Sequence, residues 1–226
     1  MKTFSVLIRE IIPFGQVHRI DVTPTLPTVL RPGQYCLAFA PGTAQILPVS
    51  LYPCGELPDG LSLCGKLPTF WQEGMNLLLQ GPSGQGFTDC LKARKLVIHA
   101  TVSTLESRLY ALAAQALQRG ADVAWVTDQL SIELPPQVEV LKSADFLEAV
   151  AWSDACAVAL SFNHITDFQQ THPFKPGELS KVELLLDAPL ICGNTHCGVC
   201  SVETSKGWKL ACKDGPVFRL EDLPRE

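Results

Sequence analysis

From Lys2 to about Leu91 apolar and polar positions alternate in short runs, Phe4–Ile12, Gln16–Thr23, Gln34–Ala40, Ile46–Tyr52, Leu61–Gly65 and Asn76–Gln80. A period of two places successive side chains on opposite faces of a strand. The runs are separated by turn formers such as Arg31-Pro32-Gly33 and Pro53-Cys54-Gly55, so the pattern predicts a small antiparallel β-barrel over residues 1–91.

At Lys95 the period changes. Leu96-Val97-Ile98 reads as a buried strand, and Leu105, Leu109, Leu112, Ala113, Ala116 and Leu117 follow at helical spacing. Ser103 with Glu106 three residues later predicts a capping box, and Gly120 a helix stop. Val123–Val126 then reads as a strand, Ala144–Val150 as a short helix and Ala155–Leu160 as another strand. Strand and helix alternate as in a doubly wound, Rossmann-like α/β domain, expected over 92–176. Pro173 to Gly177 reads as a linker and Val182–Leu186 as a strand opening a last small domain, 177–226.

With 226 residues, 46% hydrophobic and 18% charged, the chain has apolar material for ordinary cores and is no disordered segment. A net charge of −5 with scattered lysines and arginines offers no basic stripe, so nucleic acid is not an expected partner. The apolar run near Met1 is interrupted by Arg9 and Glu10 too early for a secretory h-region, and no run is long enough to span a bilayer. A soluble, cytoplasmic protein is expected.

The cysteines change this picture. Cys36, Cys54, Cys64, Cys90 and Cys156 stand singly and read as small buried thiols. The other four crowd one end: Cys192-x4-Cys197-x2-Cys200, with Cys212 after eleven intervening residues. That spacing is the plant-type ferredoxin pattern, so the candidate metal ligands are Cys192, Cys197, Cys200 and Cys212 and the cofactor a [2Fe–2S] cluster. Three thiolates of one tight loop are expected on one face of a two-iron rhomb, with a fourth from a returning strand closing the other. An anionic cluster also needs backbone N–H groups aimed at its sulfurs, for which Gly193 and Gly198 suit, with Asn194 and Thr195 as side-chain donors. Structural zinc is the competing use of four thiolates, but zinc favours two knuckle-like pairs. His196, inside the loop, reads as exposed rather than as a Rieske-type ligand.

The segment Cys192-Gly193-Asn194-Thr195-His196-Cys197-Gly198-Val199-Cys200, followed by Cys212-Lys213-Asp214-Gly215-Pro216-Val217-Phe218, closely resembles the cluster domain of the electron-transfer subunits of dihydroorotate dehydrogenase B. These belong to the ferredoxin-NADP reductase superfamily. The resemblance implies a flavin-type barrel, a nicotinamide-type α/β domain and a cluster domain in that order. Pro32-Gly33-Gln34-Tyr35 and Gly81-Pro82-Ser83-Gly84-Gln85-Gly86-Phe87 are similar to the family's barrel signatures. FAD is the second cofactor so implied, with Ser50, Tyr52, Gly65 and Thr69 as candidate contacts. The family's R-x-Y-S motif is Leu47-Pro48-Val49-Ser50 here, and a leucine offers a diphosphate no charge-assisted hydrogen bond. Tyr52 is the candidate substitute for the stacking ring and Lys66 for the charge, although a barrel tyrosine and a solvated lysine are the commoner uses of such residues. The glycine-rich turn of the nicotinamide site is replaced by His99-Ala100-Thr101-Val102-Ser103, and a later Cys-Gly-Pro element by Leu160-Ser161-Phe162, so NAD binding is not expected. His99, Asp128, His164 and Asp187 read as structural, and no catalytic residue is assigned.

The expected function is an electron-transfer subunit passing electrons between a partner oxidoreductase and a second carrier. The resemblance names that partner as an FMN-containing dihydroorotate dehydrogenase catalytic subunit. The alternative is a non-enzymatic iron–sulfur interaction or redox-sensing subunit that has lost flavin and nicotinamide binding.

Overall fold

A computed structural model describes residues 2–224 of the chain. The strands β1 (Lys2–Phe14), β2 (Val17–Thr23), β3 (Tyr35–Phe39), β4 (Val49–Leu57), β5 (Gly60–Gly65) and β6 (Asn76–Ser83) close into an antiparallel barrel in the order β1-β2-β5-β4-β3-β6. Alternation explains its two faces. Val6, Ile8, Ile20, Val22, Cys36, Ala38, Leu51, Leu63, Leu77 and Leu79 fill the interior, while Tyr35, Leu37, Tyr52, Cys54 and Cys64 on β3, β4 and β5 belong to the second core, shared with the rest of the chain. The barrel is therefore apolar on its outer wall at one place, and the α/β layer covers that wall.

The next elements are β7 (Lys95–Ala100), a 3-10 turn (Ser103–Leu109) running into α1 (Tyr110–Gln118), β8 (Asp122–Val126), β9 (Glu139–Leu141), α2 (Phe146–Trp152), β10 (Ala155–Ser161), α3 (Ile165–Thr171), α4 (Pro176–Leu179) and β11 (Val182–Asp187). The hairpin β12 (Ser201–Thr204) and β13 (Gly207–Leu210) and the strand β14 (Val217–Arg219) end the fold. One sheet runs in the order β14-β11-β10-β7-β8-β9, parallel except for β14. Leu96, Val97 and Ile98, and Ala155 through Leu160, are buried on both faces, as strands between helical layers must be. The expected combination of barrel, doubly wound α/β layer and small terminal unit is what the chain forms.

Several details differ from the sequence expectation. Strand β4 continues through Pro53-Cys54-Gly55, since a bulge between Pro53 and Gly55 absorbs the irregularity that reads as a turn. The capping box does not form: Val102 precedes the helical turn with no side-chain cap, and the Glu106 carboxylate instead accepts the Ser131 N–H at 3.0 Å and the Ser131 hydroxyl. Gly120, at φ +77, does terminate the helix. Strand β11, assigned from sequence to the terminal segment, lies inside the α/β sheet between β10 and β14, where its run Val182–Leu186 is buried. Pro176, expected within a linker, opens the short helix α4.

Glu183 joins these units. Only 2% exposed, it accepts the N–H groups of Thr88 (3.0 Å), Asp89 (3.1 Å) and Cys90 (2.9 Å) and the Thr88 hydroxyl (2.7 Å), tying the exit of the barrel to the sheet. Burial pushes its carboxyl up, but the Cys90 N–H and the Thr88 hydroxyl outweigh that and hold it below the usual value.

Candidate metal centre

The four clustered cysteines come together because two local structures fold their neighbours onto each other. The hairpin pairs Ser201 with Leu210, and the Ala211 N–H donates to the Cys200 carbonyl at 2.9 Å. Cys200 and Cys212 thus flank the open end of one hairpin, which is why eleven residues can separate them in sequence. Their thiols are within hydrogen-bonding reach. Cys192 and Cys197 are joined by the tight loop between them and make the same kind of thiol contact.

The thiol contacts run within Cys192–Cys197 and within Cys200–Cys212. Among the described residues no three His, Cys, Asp or Glu side chains converge on a single metal-ion position. Two thiol pairs suit a two-iron rhomb, in which each iron takes two protein sulfurs, better than one tetrahedral ion.

The loop supplies the donors that an anionic cluster requires. Gly193 (φ +61), Thr195 (φ +70) and Gly198 (φ +68) adopt left-handed backbone and turn successive N–H groups inward. Burial pushes the Cys192 thiol up, yet the N–H groups of Cys197, Asn194 and His196 together with the Cys197 thiol bring it down to about 6. At Cys212 burial and the Cys200 thiol hold the value at about 11, against the opposing Thr195 N–H. Asn194 and Thr195 thus act through backbone N–H groups, not the side chains expected of them. Cys200 and Cys212 are buried, Cys197 is exposed and Cys192 lies between these extremes. His196 is exposed in the loop. The donor set therefore fits a [2Fe–2S] cluster with one pair of sulfurs toward solvent and one toward the protein.

The inner side is packed against the barrel. Gln85 donates its N–H to the Gly215 carbonyl and its side-chain amide to the Lys213 carbonyl at 3.4 Å. A Cβ at Gly84 would lie 2.5 Å from the Gly215 oxygen, so only glycine permits this approach. Tyr35, fully buried, brings its hydroxyl to 3.5 Å from the Cys212 carbonyl. Burial, then Cys212, Tyr52 and Cys200, keep that phenol protonated. Sequence reasoning placed Tyr35 in a barrel signature and had no signal that its side chain would meet the cysteine loop.

The residues singled out for FAD are only partly assembled. Ser50 and Gly65 adjoin, since a Cβ on Gly65 would lie 2.8 Å from the Ser50 carbonyl oxygen. Tyr52 is 1% exposed and its ring is covered by Arg108, 4.6 Å from the ring centre. Thr69 and Lys66 are exposed on the loop after β5. Arg108, unremarked in the sequence, is the cation that approaches Tyr52.

At the C-terminal ends of β7 and β8 a polar cavity of about 530 Å³ is lined by His99, Ser103, Glu106, Asp128 and Ser131 and closed by the turn at Gly15. Among the described residues none that lines it is a lysine or an arginine. Asp128 accepts the Ser143 N–H at 3.1 Å, which holds its carboxyl below the usual value. His99 is pushed down by burial; its ring packs on Phe146 at 4.8 Å, and Nδ1 donates to the Val126 carbonyl at 2.9 Å. Two carboxylates face a space where a pyrophosphate would need cations.

Residues 188–224 match the family model of the iron–sulfur cluster binding domain of dihydroorotate dehydrogenase B. The chain is 26% identical over 220 residues to a probable dihydroorotate dehydrogenase B (NAD(+)) electron transfer subunit of Thermoplasma volcanium, covering 86% of this chain and 80% of that protein. The chain is thus similar to these electron-transfer subunits along most of its length. A 38-residue stretch is 50% identical to sulfhydrogenase 1 subunit gamma of Pyrococcus furiosus, covering 17% of this chain and 13% of that one. In fold it is similar to an NADH-dependent reduced ferredoxin-NADP oxidoreductase, with a TM-score of 0.74 at 18% identity over 97% of this chain and 89% of that one. Phthalate dioxygenase reductase gives 0.59 at 11% identity over 93% and 77%. These similarities show that the barrel and α/β layer share the fold of these reductases. Among the described residues no helix is long and apolar enough to cross a membrane.

Proposed function

We propose that the chain is an electron-transfer subunit whose [2Fe–2S] cluster is held by Cys192, Cys197, Cys200 and Cys212 and serves a partner oxidoreductase. The observation that carries this reading is the contact of Cys192 with Cys197 and of Cys200 with Cys212, beside a loop whose backbone N–H groups reach Cys192 and Cys212. Such a cluster takes up and releases one electron at a time. The chain's own contribution is to fix the sulfurs, to offset their charge with N–H donors and to leave the Cys192–Cys197 side near solvent for a partner. By likeness to the Thermoplasma relative, that partner is a dihydroorotate dehydrogenase-type catalytic subunit. The buried thiols of Cys36, Cys54, Cys64, Cys90 and Cys156 suit a reducing, cytoplasmic setting.

FAD is the proposed second cofactor, with Ser50, Tyr52, Gly65 and Thr69 on the barrel face that would receive it. A second reading, a cluster subunit without flavin or nicotinamide, is favoured by the Arg108 cover on Tyr52 and the acidic cavity at the C-terminal ends of β7 and β8. The absorption spectrum of anaerobically purified protein, with iron, sulfide and flavin quantified, tests both. Cluster bands with flavin bands support the flavoprotein carrier, and cluster bands alone support the second reading. A colourless, zinc-containing protein would sink the iron–sulfur assignment.

A further inference from the structure

The interior side of the cysteine site is closed by an aromatic residue of the barrel. On β3 the side chains alternate, Cys36 entering the barrel core and Tyr35 pointing out of it. Tyr35 is held between two neighbours: its ring centre lies 6.2 Å from that of Tyr52, and on another side a Cβ at Gly84 would already be 3.2 Å from its Cε1. Its hydroxyl faces the Cys212 carbonyl at 3.5 Å, the outer limit of a direct hydrogen bond.

We propose that Tyr35 is a positioning residue of the cluster, whose hydroxyl, donated toward the Cys212 backbone, raises the reduction potential from the buried side. This rests on the reading of the four cysteines as cluster ligands. A carbonyl beside a coordinating sulfur presents negative charge to the irons. A donor on that oxygen draws part of the charge away and places a hydrogen on the cluster side. Reduction adds one negative charge, so such a dipole favours the reduced state. The effect is strongest where water is absent, because the local dielectric is low. Tyr35 is fully buried, whereas water can screen the Cys197 side. A buried ring packed on Tyr52 cannot swing away, so the hydroxyl oxygen stays beside the Cys212 carbonyl.

The test uses the complete chain, prepared anaerobically with its cluster reconstituted. Tyr35→Phe keeps the ring and removes the hydroxyl; it is expected to hold iron and sulfide at the parent level while its midpoint potential moves negative. A fluorotyrosine at position 35, a stronger donor of the same shape, is expected to move the potential positive. Tyr110→Phe, whose ring packs on Phe14 at 5.3 Å, serves as the control and should leave the potential unchanged. A Phe variant with full iron and an unchanged potential overturns the role of Tyr35 and leaves the cluster assignment standing. If the Phe variant fails to hold its cluster, the fluorotyrosine chain decides, and an unshifted potential there overturns the proposal. Lack of iron and sulfide in the reconstituted parent overturns the cluster assignment itself.

Discussion

The Arg108 guanidinium lies 4.6 Å from the centre of the Tyr52 ring, and its edge reaches the Asp187 carboxylate at 2.7 Å. Three segments meet there: β4 of the barrel, the turn after β7, and the end of β11 just before the cysteine loop. A flat guanidinium can stack with its face while bonding with its edge, which an ammonium cannot do. The Arg108 side chain is 18% exposed and that of Asp187 43%, so water weakens the ion pair while the stack stays largely dry. Arg108→Ala is expected to lower stability by about 1–3 kcal/mol, and Arg108→Lys by a smaller amount. Equilibrium denaturation in guanidinium chloride measures this. An unchanged midpoint in the alanine variant would show that the stack contributes nothing.

Glu183 gives a pH-dependent prediction. Its folded-state carboxyl lies below the unfolded value of about 4.3, so its contribution is fully present above that value and is lost as pH falls through the lower, folded one. Glu183→Gln removes the charge-assisted bonds to the N–H groups of Thr88, Asp89 and Cys90. The variant should be about 1.5–3 kcal/mol less stable at neutral pH. The gap between parent and variant should then narrow in acid, below about pH 4. Urea denaturation of both proteins across the acid range checks it, and a gap constant with pH would refute the assignment.

The acidic cavity at the ends of β7 and β8 predicts how the chain meets a nicotinamide. Glu106 is 1% exposed and held by Ser131, so it cannot swing aside to admit a phosphate. Under anaerobic conditions excess NADH should leave the oxidised cluster spectrum intact, while dithionite bleaches it. Rapid bleaching by NADH in the isolated chain would be falsifying evidence for this view of the cavity.

How far the sequence could be read depended on whether a feature was local. Period-two runs located all six barrel strands, and the buried run of β10 was equally plain, because strand burial is written in consecutive residues. The spacing from Cys192 to Cys200 marked the stretch that matches the iron–sulfur domain model for the same reason. The pairing of sulfurs two by two was not legible, because it depends on the hairpin Ser201–Leu210, whose pairing no spacing rule encodes. The capping box failed through a distant competitor, since Ser131, twenty-five positions beyond Glu106, offers that carboxylate two donors. Tyr35 and Cys212 are 177 positions apart, and only the docking of the Gly81–Phe87 loop onto the turn at Gly215 brings them together. Strand β11 was read correctly as a strand and placed in the wrong unit, because a continuous apolar run says that a strand is buried and not between which neighbours.

Thr195 is the position where the cluster loop departs from favourable backbone. A β-branched residue at φ +70 costs about 1–2 kcal/mol relative to glycine. Its N–H is aimed at the Cys212 sulfur, so the strained conformation has a use. Thr195→Gly keeps the N–H and removes the strain; it should retain iron and sulfide at the parent level and resist loss of the cluster to a chelator at least as well. Thr195→Pro fixes φ near −65° and removes the donor, and is expected to lose most of its iron. The decisive comparison is iron content with the visible spectrum after reconstitution of the two variants side by side. If the proline variant holds a full cluster, the loop does not need its left-handed turn, and the inward N–H groups are not what fits this segment to an anionic cluster.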